Sequence, residues 1–392
     1  MKREPTPPAH CTFEPEDWLR LAKCWHPVAR ACDIGPAPVK ATLLDEQLVI
    51  YRINDQVVVA RDVCPHRGVP LTLGFHDEHG IICPYHGLRF GEDGRCNRIP
   101  SSPDQPVPAK LNLINYAVEE RFGLIWTCLA FDPDNPVPLP TMPHWDDDGF
   151  QQINCPAFEV NGFAGRQVEG FLDVAHFAWI HTDTFADPNN QLVPTYQPQE
   201  TPFGFVADYW SSVSNYPASS PVQAPEGFQW LRHFEMHLPF TATLTIHFPG
   251  ESRLVIMNAA SPVSSRVTRM FAPIARNVDL HIPVEDVHAF NLRIFEALAA
   301  GCFLLTDHCP EIAELFSVGE ELETFRSSDE LADKVRYYLA HDEERERIAR
   351  TGTLAFNKKH TWKTRLSDGL MHIHSSPGVG ANLAAPSANR IT

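Results

Sequence analysis

The segments CPHRG (residues 64–68) and CPYHG (residues 83–87) decide how this chain folds. Cys64 and His66 stand two positions apart, Cys83 and His86 three, with sixteen residues between His66 and Cys83. Two cysteines and two histidines can hold zinc. Zinc fingers, however, place both cysteines first and both histidines second, on a helix. Here each segment gives one thiolate and one imidazole, flanked by Pro and Gly. That pattern suits two fingertip loops closing over a [2Fe–2S] cluster. Thiolates would hold the iron that stays ferric, and imidazoles would raise the potential of the other. Gly68 and Gly87 allow the backbone to turn closely around it.

Short strands surround these loops. LVIYRI (48–53), QVVVARD (56–62), LNLINYAVEE (111–120) and FGLIWTCLA (122–130) are bounded by Asp, Asn, Gly or Pro, as in a small all-β domain. Proline-rich FDPDNPVPLPTMP (131–143) marks its end. From 149 to about 290 helix and strand alternate, and TATLTIHF (241–248) and SRLVIMNA (252–259) read as antiparallel strands. VEDVHAFNLRIFEALAAG (284–301) reads as a helix ending at Gly301, followed by a short strand, FLLTD (303–307), and then charged, amphipathic helices over 329–352.

The 392 residues suffice for two or three domains. A net charge of -17 argues against a general nucleic-acid or anionic-membrane binder. No run of apolar residues is long enough to span a bilayer. The first eighteen residues lack the apolar middle of a signal peptide, so a cytoplasmic protein is expected. The cysteines other than Cys64 and Cys83 show no ligand spacing.

A cluster alone only moves electrons. VEGFLDVAHFAWIH (168–181) supplies a candidate consumer. On an ideal helix Glu169, Asp173 and His176 share a face, whereas His181 lies about 140° round from His176. Both imidazoles reach one metal only if the helix bends or ends near 178–180. Two histidines and a carboxylate make a facial triad that leaves positions open on ferrous iron.

Together these residues resemble the Rieske non-haem iron oxygenases, closest to the type with a single kind of oxygenase subunit. The resemblance rests on CPHRG, CPYHGLRF and the 168–181 segment and covers about residues 16–296. It implies an α+β fold: an N-terminal all-β Rieske domain, then a helix-grip-like catalytic domain around an antiparallel sheet. It implies a [2Fe–2S] cluster on Cys64, His66, Cys83 and His86, and a mononuclear Fe(II) on His176 and His181. Asp173 would bridge an iron-ligating histidine to the Rieske histidine, His86, of a neighbouring subunit, so a homotrimer is implied. The family's usual Asn four residues before that Asp is Glu169 here. A separate NAD(P)H-dependent reductase, with or without a ferredoxin, would supply electrons, because the chain has no nicotinamide fingerprint. With O2 the enzyme would hydroxylate or demethylate an aromatic or natural-product substrate. Phe163, Phe171, Phe177, Trp179 and Phe185 are candidate pocket walls.

The third iron ligand should be an Asp far along the chain. Single-subunit members read like FEED, then a basic residue and an apolar run. PVEDVHAFNLRIFE (283–296) fits the approach to that site, and the register places the ligand at Leu298, which cannot bind iron. Glu296, Asp307 and Glu311 are the local substitutes. From about 291 to 365 the chain resembles instead the end of a GT-B glycosyltransferase, too small a piece for a nucleotide-sugar cleft. Three readings follow: another carboxylate completes the triad, two histidines and solvent hold the iron, or the chain is an impaired fusion. The rival to an oxygenase is a Rieske electron-transfer protein. The expected divisions are a disordered lead (1–16), a Rieske domain (17–135), an iron domain (149–296), a glycosyltransferase-like fragment (297–368) and a disordered tail (369–392).

Overall fold

The computed structural model describes residues 5–181, 185–216, 222–278, 280, 293–308 and 310–360. The chain divides into two compact units, Met1–Val284 and Glu285–Thr392. The division falls at Val284/Glu285 rather than at 296/297.

The first unit begins with helix α1 (Pro15–Ala22) and strand β1 (His26–Arg30). The lead expected over 1–16 is tied down in its second half. The Thr12 N–H and hydroxyl both donate to Asp45, and the Thr12 hydroxyl oxygen accepts from the Ser265 N–H. Strands β2 (Val39–Leu43), β3 (Glu46–Ile53) and β4 (Gln56–Arg61) form one antiparallel sheet. β5 (Phe75–Asp77), β6 (Gly80–Ile82), β7 (Arg89–Phe90) and β8 (Cys96–Arg98) form a second. β9 (Ala117–Arg121) and β10 (Leu124–Cys128) join β1 in a third. Three of the hairpins turn on residue pairs with positive φ, namely Leu44-Asp45, Asn54-Asp55 and Phe122-Gly123. That backbone matches the twist of the flanking strands. Leu44 and Asp45 are held in this unusual conformation by N–H bonds to Pro262 O and Val263 O.

A larger antiparallel sheet follows. It comprises β11 (Gln151–Asn154), β12 (Phe158–Asn161), β13 (Gln199–Thr201), β14 (Gly204–Ser211), β15 (Trp230–His237), β16 (Thr241–His247), β17 (Arg253–Ser264), β18 (Val267–Phe271) and β19 (Pro273–Arg276). Its main path runs β11-β19-β17-β16-β15-β14-β13, and β18 bridges β17 to β12. Trp25, Trp126 and Leu124 share one buried cluster with Met257, Val255 and Phe271. This common core explains why the two regions make one unit.

Helices α2 (Ala164–Leu172) and α3 (Phe177–Ile180) lie on the large sheet. β15 alternates buried and half-buried positions, so Trp230, Arg232, Phe234 and Met236 share its inner face. Phe171, Leu172 and Phe177 from the helical segment pack on the cluster of Trp230, Phe234 and Leu244. Each such side chain taken from water contributes roughly 1.5–3 kcal/mol.

The second unit holds α4 (Arg293–Ala299), β20 (Leu305–Asp307), α5 (Pro310–Leu315), β21 (Glu323–Phe325), α6 (Ser328–Ala340) and α7 (Asp342–Ala355). The helix expected over 284–301 is described only from Arg293. The charged stretch forms two helices that meet at His341. β20 and β21 pair in parallel. The tail at 369–392 lies outside the described residues.

Candidate metal centres

The two fingertip loops have matching backbone geometry. The Cys64 N–H donates to Val69 O and the Gly68 N–H to Cys64 O; the Cys83 N–H donates to Leu88 O and the Gly87 N–H to Cys83 O. Gly68 and Gly87 both have positive φ, 75° and 69°, which a Cβ would strain. A Cβ on Gly87 would also stand 3.0 Å from the Pro100 ring. Cys64 and Cys83 are buried, and the His66 and His86 rings are 4.8 Å apart. Burial, above all, raises the Cys64 thiol to about 11, and Cys83 adds to the rise. Backbone N–H groups of His66 and Arg67 act in the opposite sense, stabilising a thiolate. Two buried sulfurs and two outer imidazoles fit the donor set of a [2Fe–2S] cluster with one thiolate-held and one imidazole-held iron.

The second site forms where the 168–181 helix breaks. The helix is interrupted at 173–176, and the short turn that follows ends at Ile180, within the expected 178–180. Asp173 caps α2 in extended conformation, and its Oδ1 accepts from the Ala175 N–H at 2.8 Å. His176 and His181 then flank one short helix, α3, instead of diverging around a long one. Their Nε2 atoms stand 3.1 Å apart. Two nitrogens at adjacent corners of an octahedral ion, with bonds of about 2.1 Å, are separated by about 3 Å. Asp173 Oδ2 lies 3.3 Å from His176 Nδ1 and so fixes the proton there, leaving Nε2 free to bind metal. Glu169 pairs with Arg166 and takes no part.

Aromatic rings wall this pair. Phe185 stacks on His181 at 4.6 Å, and Phe177 meets both imidazoles edge-on. Burial is the main reason His181 is shifted below its ordinary pKa, with His176 the second. Of the other expected walls, Phe171 packs on Phe234 and Phe163 on Phe240. Trp179 points outward, 66% exposed.

Among the described residues no carboxylate joins the two imidazoles to make a third ligand. Leu298 is fully buried with Ile294, Ile312 and Phe316 in the core of the second unit. Asp307 is exposed at the end of β20. The side chains of Glu296 and Glu311 lie outside the described residues.

Comparison with known proteins decides the family. A Rieske [2Fe-2S] domain model matches residues 24–114, and a vanillate O-demethylase oxygenase C-terminal domain model matches residues 164–297. The chain is 33% identical over 286 residues to methylxanthine N1-demethylase NdmA of Pseudomonas putida, covering 68% of this chain and 78% of that protein. The chain belongs to the Rieske non-haem iron oxygenases. As an oxygenase of this family it uses a [2Fe–2S] cluster and a mononuclear iron, not the cluster alone as an electron carrier would. Methylxanthine N3-demethylase NdmB of the same species is 30% identical over 294 residues, covering 72% of the oxygenase and 80% of NdmB. The solved structure of NdmA with caffeine aligns at a TM-score of 0.61 and 27% identity, over 86% of this oxygenase and 96% of that chain. Other relatives are named as oxygenase subunits or components, among them that of dicamba O-demethylase from Stenotrophomonas maltophilia. Among the described residues of the oxygenase, no helix is long and apolar enough to cross a membrane.

A glycosyl transferase-like family model matches residues 259–370. The two matches overlap over 259–297, so the join expected near 291–296 falls inside the overlap. The oxygenase match ends at 297, one residue before Leu298. Asp307 and Glu311 also fall outside that match. The carboxylates in its last stretch are Asp279, Glu285, Asp286 and Glu296, and their side chains lie outside the described residues.

Proposed function

We propose that this oxygenase demethylates or hydroxylates a small aromatic substrate at an iron held by His176 and His181. The reading rests on one observation above all: two Nε2 atoms 3.1 Å apart, with Asp173 on the opposite nitrogen of His176. When bound, the cluster supplies single electrons and the mononuclear iron activates dioxygen. Cys64, Cys83, His66 and His86 hold the first group. Asp173 keeps the His176 proton on Nδ1, and Phe177 and Phe185 exclude water around the imidazoles.

The Asp173 carboxylate is about half exposed within one chain, and His86 is exposed too. Both are therefore available to a neighbouring subunit, which supports a homotrimer with electrons crossing between subunits. A separate NAD(P)H-dependent reductase feeds the cluster. The methylxanthine N-demethylase relatives favour an N-methyl aromatic substrate, and the dicamba O-demethylase relative an O-methyl one. Removing a methyl group as formaldehyde consumes one O2, two electrons and two protons and yields water and the demethylated product.

The purified chain is expected to hold three irons. His176→Ala should lower this to two with the visible cluster spectrum unchanged. Two irons in the unmutated protein, or no substrate-dependent oxygen uptake with a compatible reductase, would overturn the proposal.

A further inference from the structure

Arg232 is 2% exposed, on the inner face of β15 among Tyr209, Trp230, Phe234 and Phe177. Its Nε donates to Asn215 Oδ1 at 3.1 Å and its Nη2 to Phe185 O at 3.4 Å. The guanidinium lies over the Phe177 ring at 5.6 Å and the Tyr209 ring at 5.7 Å. Among the described residues no carboxylate pairs with it. Burial lowers its pKa to about 10, so it remains a cation at neutral pH. A second observation points the same way: the Asn215 Nδ2, on the amide that receives Arg232, is buried with no acceptor. The site therefore has hydrogen-bond donors and positive charge in excess, inside an apolar wall. A buried cation without a counter-charge is costly, and an anion that completes it is bound strongly and directionally.

The position ties this site to the metal residues. Arg232 reaches the carbonyl of Phe185, whose ring stacks on His181, and it covers the face of Phe177, which meets His176. Arg232 also lines a narrow cleft with Val174, Phe177, Phe185, Tyr209 and Ser211. Its outer wall, 186–193, carries no helix or strand and is exposed at Asp187–Leu192. The room in the cleft is about 20 Å³, close to one water, so a ring enters only as that wall moves outward.

We propose that Arg232, held by Asn215, is a specificity residue that binds the carboxylate of an aromatic acid and thereby orients its ring toward His176 and His181. The inference rests on the oxygenase reading but concerns binding alone. A site built around a buried donor pair discriminates against a ligand lacking the matching acceptor charge.

The test is calorimetric binding to the full cluster-loaded chain, without reductase. The probes are matched pairs: benzoate and benzamide, 4-methoxybenzoate and 4-methoxybenzamide, phenylacetate and phenylacetamide. At least one acid should bind tenfold or more tighter than its amide. Arg232→Gln should abolish that preference while changing amide binding less than twofold. Asn215→Asp supplies an internal counter-charge without emptying the core and should weaken acid binding at least tenfold, so the answer does not depend on the folding of Arg232→Gln. No acid preference in the unmutated protein, a preference surviving in either variant, or acetate competing as well as the aromatic acids would overturn the assignment. Because no turnover is measured, a failed oxygen-uptake assay leaves this result standing, and the reverse also holds.

Discussion

Asp173 sits between two jobs: it orients His176 and stands half exposed where a second subunit can reach it. Since it does not ligate metal, Asp173→Ala should leave three irons per chain and an unaltered cluster spectrum. Turnover should fall about 10–100-fold from the lost orientation alone, or further if the residue carries the electron path. Iron analysis beside steady-state oxygen uptake separates the cases, and loss of one iron would instead make Asp173 a ligand. The Rieske domain was legible because the spacing of its loops is local: Cys-x-His and Cys-x-x-His need no knowledge of the fold. The third carboxylate is the hardest ligand to read, because a ligand far along the chain has no short spacing to fix its register. Arg232 went unnoticed although WLRHFEMH (230–237) carries a signal. In a strand of period two it shares the phase of Trp230, Phe234 and Met236, where a charge is out of place.

Elements were legible where turns and alternation are strong. Asn54-Asp55 between two apolar runs reads as a hairpin, and one is there. The 168–181 segment was less so. Its periodicity is continuously helical, and only the Asp173 side chain bonding to the Ala175 N–H ends α2 early. The junction of α1 and β1 offers a pH test. His26 is buried, its Nε2 is 2.9 Å from Leu21 O, and burial lowers its pKa to about 4. The unfolded chain protonates this group near pH 6.5 and the folded chain only near 4. His26 therefore leaves stability intact above pH 6.5, and stability is lost as pH falls from 6.5 to 4, by on the order of 3 kcal/mol at the lower end. Urea unfolding across that range should show this loss, and His26→Gln should flatten its share of the slope while keeping a donor for Leu21 O.

At the scale of the molecule, the described cores of the two units share no residue: those of the first end by Val278, and that of the second runs from Ile294 to Phe356. The glycosyltransferase-like part thus builds its own small core, with Leu298 as a packing residue, and its resemblance needs no transferase activity. The proposed electron path between copies of the first unit is tested at this scale. His86→Ala and Asp173→Ala chains should each be inactive as pure assemblies. Co-expressed, they form interfaces where the cluster of an Asp173→Ala chain faces the intact Asp173 of a His86→Ala chain. With random mixing about a quarter of the interfaces have that composition, so activity should return to about a quarter of the unmutated level. Electron transfer confined to one chain predicts no recovery at any mixing ratio, since every chain then lacks one end of its path. Titrating the ratio and measuring oxygen uptake discriminates between the two, because only the path between subunits gives a maximum at equal amounts.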